Sequence, residues 1–178
     1  MKSTKIGLIV KENPSHFLKE FLKNPFITKR LLSPDKHIKC SLIPFGCIPK
    51  SYADRLIIVG EAAGQVKTTT GGGIYFGLLC SAIAARTIMK AFQYGNFSEK
   101  MFKQYESAWR SKVEPEVKSG IMLRKLFSKL SDNHINILID LAKRDGILPI
   151  IKKSNFDWQK DIILSLSRHL ISKRLFRR

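Results

Sequence analysis

The chain reads as an α/β protein of the α+β kind, mixed strand and helix first and helical afterwards. Three observations predict this. Short apolar runs rich in β-branched residues stand at 5–10 and 55–59, a glycine-rich loop at 60–73 leads into a long apolar helix, and amphipathic periodicity takes over after Asn96. The change of character near Gly95 divides a mixed segment, residues 1–95, from a helical one, residues 96–178.

Residues 5–10 predict a strand, ended by the polar turn Lys11-Glu12-Asn13-Pro14. Pro14 and Ser15 open a helix whose Phe17, Leu18, Phe21 and Leu22 recur on one face, and Pro25 stops it. Residues 37–45 read as extended, ended by Gly46 and Pro49, and residues 55–59 have the length of a short buried strand. From 73 to 92 small and apolar residues occupy nearly every face, which predicts a helix packed on several sides, with an apolar stretch too short to span a bilayer. Ser98 caps the next helix and puts Phe102, Tyr105 and Trp109 on one stripe. Pro115 is expected to kink or break it. Two further helices are expected, at 132–144 with Gly146 as the stop and at about 157–175.

Composition narrows the function. Of 178 residues 44% are hydrophobic, enough for one real core, and 32 Lys and Arg against 14 Asp and Glu leave a net charge of +18. Such a charge suits an anionic partner: headgroups, phosphorylated ligands or nucleic acid. The basic residues are spread along the chain and not interleaved with aromatics as in RNA-binding motifs, which argues against nucleic acid. Cys40, Cys47 and Cys80 have neither disulfide-framework nor zinc spacing, and His16, His37, His134 and His169 are scattered, so no metal site is expected. The short apolar run at 6–10 is too brief for a signal-peptide core, which favours the cytoplasm.

The segment richest in chemistry is 55–77, RLIIVGEAAGQVKTTTGGGIYFG. Glycines after a strand let backbone approach a ligand, and a helix opening at Gly73 aims free N–H groups and its positive end at an anion. Glu61 stands where a carboxylate accepts hydrogen bonds from sugar-type hydroxyls, with Ala62, Ala63 and Gly64 leaving room. The plainer alternative is a tight turn at 71–73 and a solvated loop charge at 61. No phosphate loop of the Gly-Lys-Ser/Thr kind is present, and the third glycine of a G-x-G-x-x-G fingerprint falls on Phe76.

The stretch VGEAAGQVKTTTGGGIYFGLL closely resembles the second FAD motif of the geranylgeranyl reductase family, flavoproteins with the p-hydroxybenzoate hydroxylase-like fold. That family usually shows Gly-Asp-Ala-Ala-Gly and then Pro-Thr-Thr-Gly-Gly-Gly-Ile; here Glu61 and Thr68 replace the commoner Asp and Pro. The resemblance extends from KIGLIV, through Ile43-Pro44 to Pro49, to Tyr105, Trp109 and LRKLF at 123–127. It implies a partial FAD-binding domain followed by a helical C-terminal region. In it Glu61 holds the ribityl chain, Ala63 and Gly64 lie beside the pyrophosphate, Gly72, Gly73 and Ile74 approach the flavin ring, and Gly71 is a further cofactor contact.

The same resemblance implies an isoprenoid lipid substrate and an external electron donor of the NADPH or ferredoxin type. It names no catalytic residue. The family's N-terminal G-x-G-x-x-G strand and helix have no counterpart here, so a C-terminal fragment, or a partner chain carrying the N-terminal half, is expected. A basic amphipathic end at 168–178, with Arg168, Lys173, Arg174, Arg177 and Arg178, suggests peripheral contact with a membrane. Two rivals remain: another flavin oxidoreductase on a different substrate, and a non-catalytic basic helical module.

Overall fold

The computed structural model describes residues 6–31, 39–144 and 158. Two compact units are present, Met1–Leu42 and Ile43–Arg178.

In the first unit, α1 spans Pro14–Leu22 and α2 spans Pro25–Thr28. Each begins with a proline, whose fixed φ and missing N–H suit the first helical turn. The Asn24 side chain accepts the Phe26 N–H at 3.0 Å, so Pro25 both stops one helix and starts the next. No residue of either helix is buried, and Phe17 and Phe21 remain exposed. The strand expected at 5–10 does not form across its described residues: 6–10 run without a ladder. Apolar β-branched residues favour extension, but a strand also needs a neighbour for its backbone groups, and among the described residues it has none. Residues 39–45 are likewise free of helix and ladder.

In the second unit the run at 55–59 is only partly a strand. β1, Tyr52–Ala53, pairs antiparallel with β2, Leu56–Ile57, in the register Tyr52↔Ile57 and Ala53↔Leu56. The described residues are thus far richer in helix than an even strand-and-helix mixture. A 3-10 turn, Gly60–Ala63, leads through the glycine loop to α3, Ile74–Gln93. After Gly95, α4 runs over Glu99–Phe127, and α5 over Asp132–Arg144. Ser98 accepts the Met101 N–H and caps α4. The expected stop at Gly146, the helix at 157–175 and the basic end at 168–178 lie outside the described residues, Trp158 excepted.

α3 and α4 pack along one core of Phe76, Cys80, Ile83 and Ala84 from α3 against Tyr105, Trp109, Val113 and Val117 from α4. Residues on both sides of Gly95 therefore share one interior. Among the described residues α3 is packed on one face: Ile74, Leu78, Met89 and Phe92 are 83%, 68%, 70% and 70% exposed. By length and composition this 20-residue helix is apolar enough to cross a membrane, longer than the stretch that sequence suggested, yet a third of its apolar window is buried against the core.

Pro115 does not break α4, which continues for twelve residues beyond it. The flanking Val113, Glu116, Val117 and Gly120 are buried, and this packing outweighs the one hydrogen bond that proline removes.

Candidate functional site

The loop from Gly60 to Gly73 buries polar residues beside apolar ones. Gln65, Val66, Lys67 and Thr68 are all buried. Gln65 bridges three elements: its Oε1 accepts the Gly60 N–H at 2.7 Å, and its Nε2 donates to the Tyr105 hydroxyl at 2.9 Å. That hydroxyl in turn donates to the Ile58 carbonyl at 2.8 Å. Burial pushes the Tyr105 phenol up to about 12, against the lowering effect of the Gln65 contact, so it stays a donor. Thr68 Oγ1 donates to the Val117 carbonyl at 3.1 Å, and Arg124 reaches the Thr68 carbonyl at 3.4 Å while stacking over Phe45. The loop is thereby fastened to α4 at both ends.

Against this frame the predicted residues fall into two groups. Ala63 and Gly64 are buried inside the chain itself. Ala63 accepts the Ile48 N–H at 3.3 Å, and Gly64 has φ +71, with Gly46 O only 1.9 Å from where a Cβ would stand. The close approach that Gly64 permits is to the 46–47 backbone of this chain. Glu61, Gly71, Gly72, Gly73 and Ile74 form the second, outward group: Glu61 and Ile74 are exposed and the three glycines half-buried. Gly71, at φ +72, closes a turn by donating to the Lys67 carbonyl at 2.8 Å, and Lys67 N–H returns a bond to the Gly72 carbonyl at 2.9 Å. A Cβ on Gly73 would lie 2.9 Å from Val66 Cγ1.

Gly73 is the N-cap of α3 and no side chain caps the helix there. The 3-10 turn that carries Glu61 packs against α3, with Gly60 Cα 3.9 Å from a Cβ on Gly77. One carboxylate and one uncapped, positive helix end therefore share an open edge of the molecule.

Sequence reasoning missed Gln65, Lys67 and Trp158. The Lys67 chain lies under Gly72, its Cε 3.1 Å from a Cβ placed there. Trp158 Nε1 donates to the Tyr75 hydroxyl at 3.1 Å, and its ring meets Tyr75 and Phe76 at 6.0 Å each, against the first turn of α3. A signal for Gln65 existed in the sequence, an amide between a small-residue turn and an apolar residue; Trp158 had none.

Below the loop a second network fixes residues 48–51 to α4. Glu106 Oε2 accepts the Ser51 N–H at 2.6 Å and the Ser51 hydroxyl at 2.9 Å, while Trp109 Nε1 donates to Ser51 Oγ at 2.9 Å. Arg110 pairs with Glu106 at 3.0 Å and donates to the carbonyls of Ile48 and Pro49. Burial opposes ionisation of Glu106, but the hydrogen bonds from Ser51 and Arg110 outweigh it and its carboxyl is held below the usual range. Cys47 is half-buried against the core, and burial pushes its thiol up, Glu114 adding to the effect, so it is a poor nucleophile. Among the described residues no three His, Cys, Asp or Glu side chains gather to hold a metal ion.

No family model matches the chain. The fold is that of a geranylgeranyl reductase-like protein: a geranylgeranyl bacteriochlorophyll reductase-like protein from Thermoplasma acidophilum superposes with a TM-score of 0.63 at 18% identity, over 86% of this chain and 37% of that one. Curated relatives are closer in sequence. Digeranylgeranylglycerophospholipid reductase from Methanocaldococcus jannaschii is 33% identical over 153 residues, 82% of this chain and 39% of that protein. The enzyme of the same name from Methanococcus aeolicus is 34% identical over 138 residues, 76% of this chain and 35% of its own length. The chain belongs to the geranylgeranyl reductase family. It spans well under half the length of the curated relatives it matches.

Proposed function

We propose that this chain is the flavin-facing C-terminal part of an FAD-dependent reductase that saturates double bonds in the geranylgeranyl chains of lipids. The observation that carries the reading is identity of 33–34% to two enzymes named for that reaction, over four-fifths and three-quarters of the chain.

The outward edge of the loop fits one part of FAD. Glu61 is exposed and acceptor-only when ionised, as the hydroxyls of a ribityl chain require. Gly71, Gly72 and Gly73 present backbone without side chains beside the uncapped start of α3, whose positive end favours negative charge on a flavin ring. Ala63 and Gly64 face the chain's own 46–48 segment, so their part in the site is to shape the turn that carries Glu61. FAD, when bound, would supply hydride to an isoprenoid double bond and be re-reduced by an external donor of the NADPH or ferredoxin type. The chain's own residues orient the cofactor: the Gln65–Tyr105–Ile58 bonds hold the turn, and Tyr75, Phe76 and Trp158 keep the adjoining surface apolar. On this reading the enzyme lies in the cytoplasm, peripheral to the membrane.

The test is the visible spectrum of the native product captured from its own cells. An oxidised-flavin spectrum, bleached by the donor and restored by a geranylgeranyl lipid whose mass rises by hydrogen, is expected. A colourless product that leaves the lipid unchanged overturns the reading.

A further inference from the structure

At the far end of α3 from the glycine loop, a groove of about 500 Å³ is lined by Arg55, Ile57, Ile88, Phe92, Phe97 and Phe102. Ile74 and Phe92 stand at opposite ends of α3, about 27 Å apart at roughly 1.5 Å per residue, so the groove is separate from the candidate cofactor edge. Its size is that of a small-ligand site.

Two independent features mark its mouth. The first is the backbone of Arg55, at φ +55 in the tip between β1 and β2. Hairpin tips that need a positive φ ordinarily take Gly, Asn or Asp, and an arginine there bears a backbone cost that glycine avoids. The second is charge. Both acids at this end are engaged elsewhere: Asp54 accepts the Glu99 N–H, and Glu99 pairs with Lys50 at 2.7 Å. No ion pair to Arg55 is found among the described residues. The walls are otherwise wholly apolar, with Phe92 and Phe97 in edge contact at 5.0 Å and Phe92 70% exposed. A guanidinium with no ion pair among the described residues, at the lip of an aromatic groove, matches a ligand with one apolar tail and one anionic head.

We propose that this groove binds a single-tailed anionic amphiphile, the tail lying between Phe92, Phe97 and Phe102 and the head, a carboxylate or phosphate, on Arg55. A flat bilayer cannot fill a concave cleft, whereas one tail drawn into it can.

The test titrates the full chain with a fluorescent polyunsaturated fatty acid and displaces it with dodecanoate, dodecyl phosphate and dodecanol. The two anions are expected to bind at least about tenfold more tightly than the alcohol, and whichever anion is tighter identifies the head. Arg55→Gly relieves the backbone strain, so its melting temperature should equal or exceed the wild type's while the preference for anions falls to about unity. Arg55→Lys should recover part of it. Phe92→Asp, on an exposed side chain, should abolish probe binding without loss of fold. Equal affinity for the alcohol and the anions, binding that survives Phe92→Asp, or a chain that ignores the probe but sediments with anionic vesicles or self-associates through this end would each overturn the proposal.

Discussion

Gly64 uses its conformational freedom for a close approach to the chain's own backbone. Its φ of +71 and the 1.9 Å separation between Gly46 O and a would-be Cβ mean that even a methyl group must displace backbone. Gly64→Ala is therefore expected to cost roughly 2–5 kcal/mol, combining left-handed strain with overpacking, and to do so with or without flavin present. Denaturant titration with and without FAD checks this. A loss confined to the flavin-bound form would return Gly64 to the pyrophosphate. Tyr105→Phe should cost about 1–3 kcal/mol, because the Ile58 carbonyl and the Gln65 amide both lose their partner in a dry site. The glycines and Glu61 were legible in the sequence because their pattern is rare. Which of them faced outward was not, since that depends on where residues 46–48 pass, sixteen residues upstream and across the loop.

Among the elements, α3, α4 and α5 were readable from periodicity and capping: Ser98 caps α4, and Tyr105 and Trp109 are buried along it as the stripe required. Strands were not, because a strand's existence is decided by its neighbours; the runs at 6–10 and 55–59 have similar composition, yet among the described residues only the second finds a partner, in β1. α4 owes its place to Glu106, whose carboxylate gathers Ser51, and through Arg110 the carbonyls of Ile48 and Pro49. Glu106→Gln should weaken that clasp by about 1–3 kcal/mol. The pH dependence follows from the lowered carboxyl. A group whose folded pKa lies below its unfolded value, near 4.5, lends its full stability above that value and loses it as pH falls through the folded one. Thermal melts from neutral pH down to about pH 3 should show the wild type losing stability in this window and Glu106→Gln losing less. Parallel curves for the two would mean that Glu106 is not the group that titrates.

At the scale of the molecule the decisive fact is the uncovered face of α3. A net charge of +18 keeps copies of the chain apart, while Ile74, Leu78 and Met89 offer water a stripe of apolar surface along that helix. These two terms have opposite dependence on salt. Salt screens the charge, with a Debye length of about 8 Å near physiological ionic strength, but leaves the apolar attraction intact. Self-association is therefore expected to rise with added salt, and a hydrophobic dye should fluoresce with the native chain under conditions where it is not unfolded. Replacing Leu78 and Met89 together by Gln removes apolar surface from positions that are 68% and 70% exposed. The double variant should keep wild-type stability within about 0.5 kcal/mol, since neither side chain contributes to the core. It should also lose most of the dye signal and the salt-driven association measured by sedimentation. If stability drops by several kcal/mol instead, the stripe is packed within the chain and α3 is an interior helix after all. If stability holds and association persists, copies meet through another face, and the apolar stripe plays no part in it.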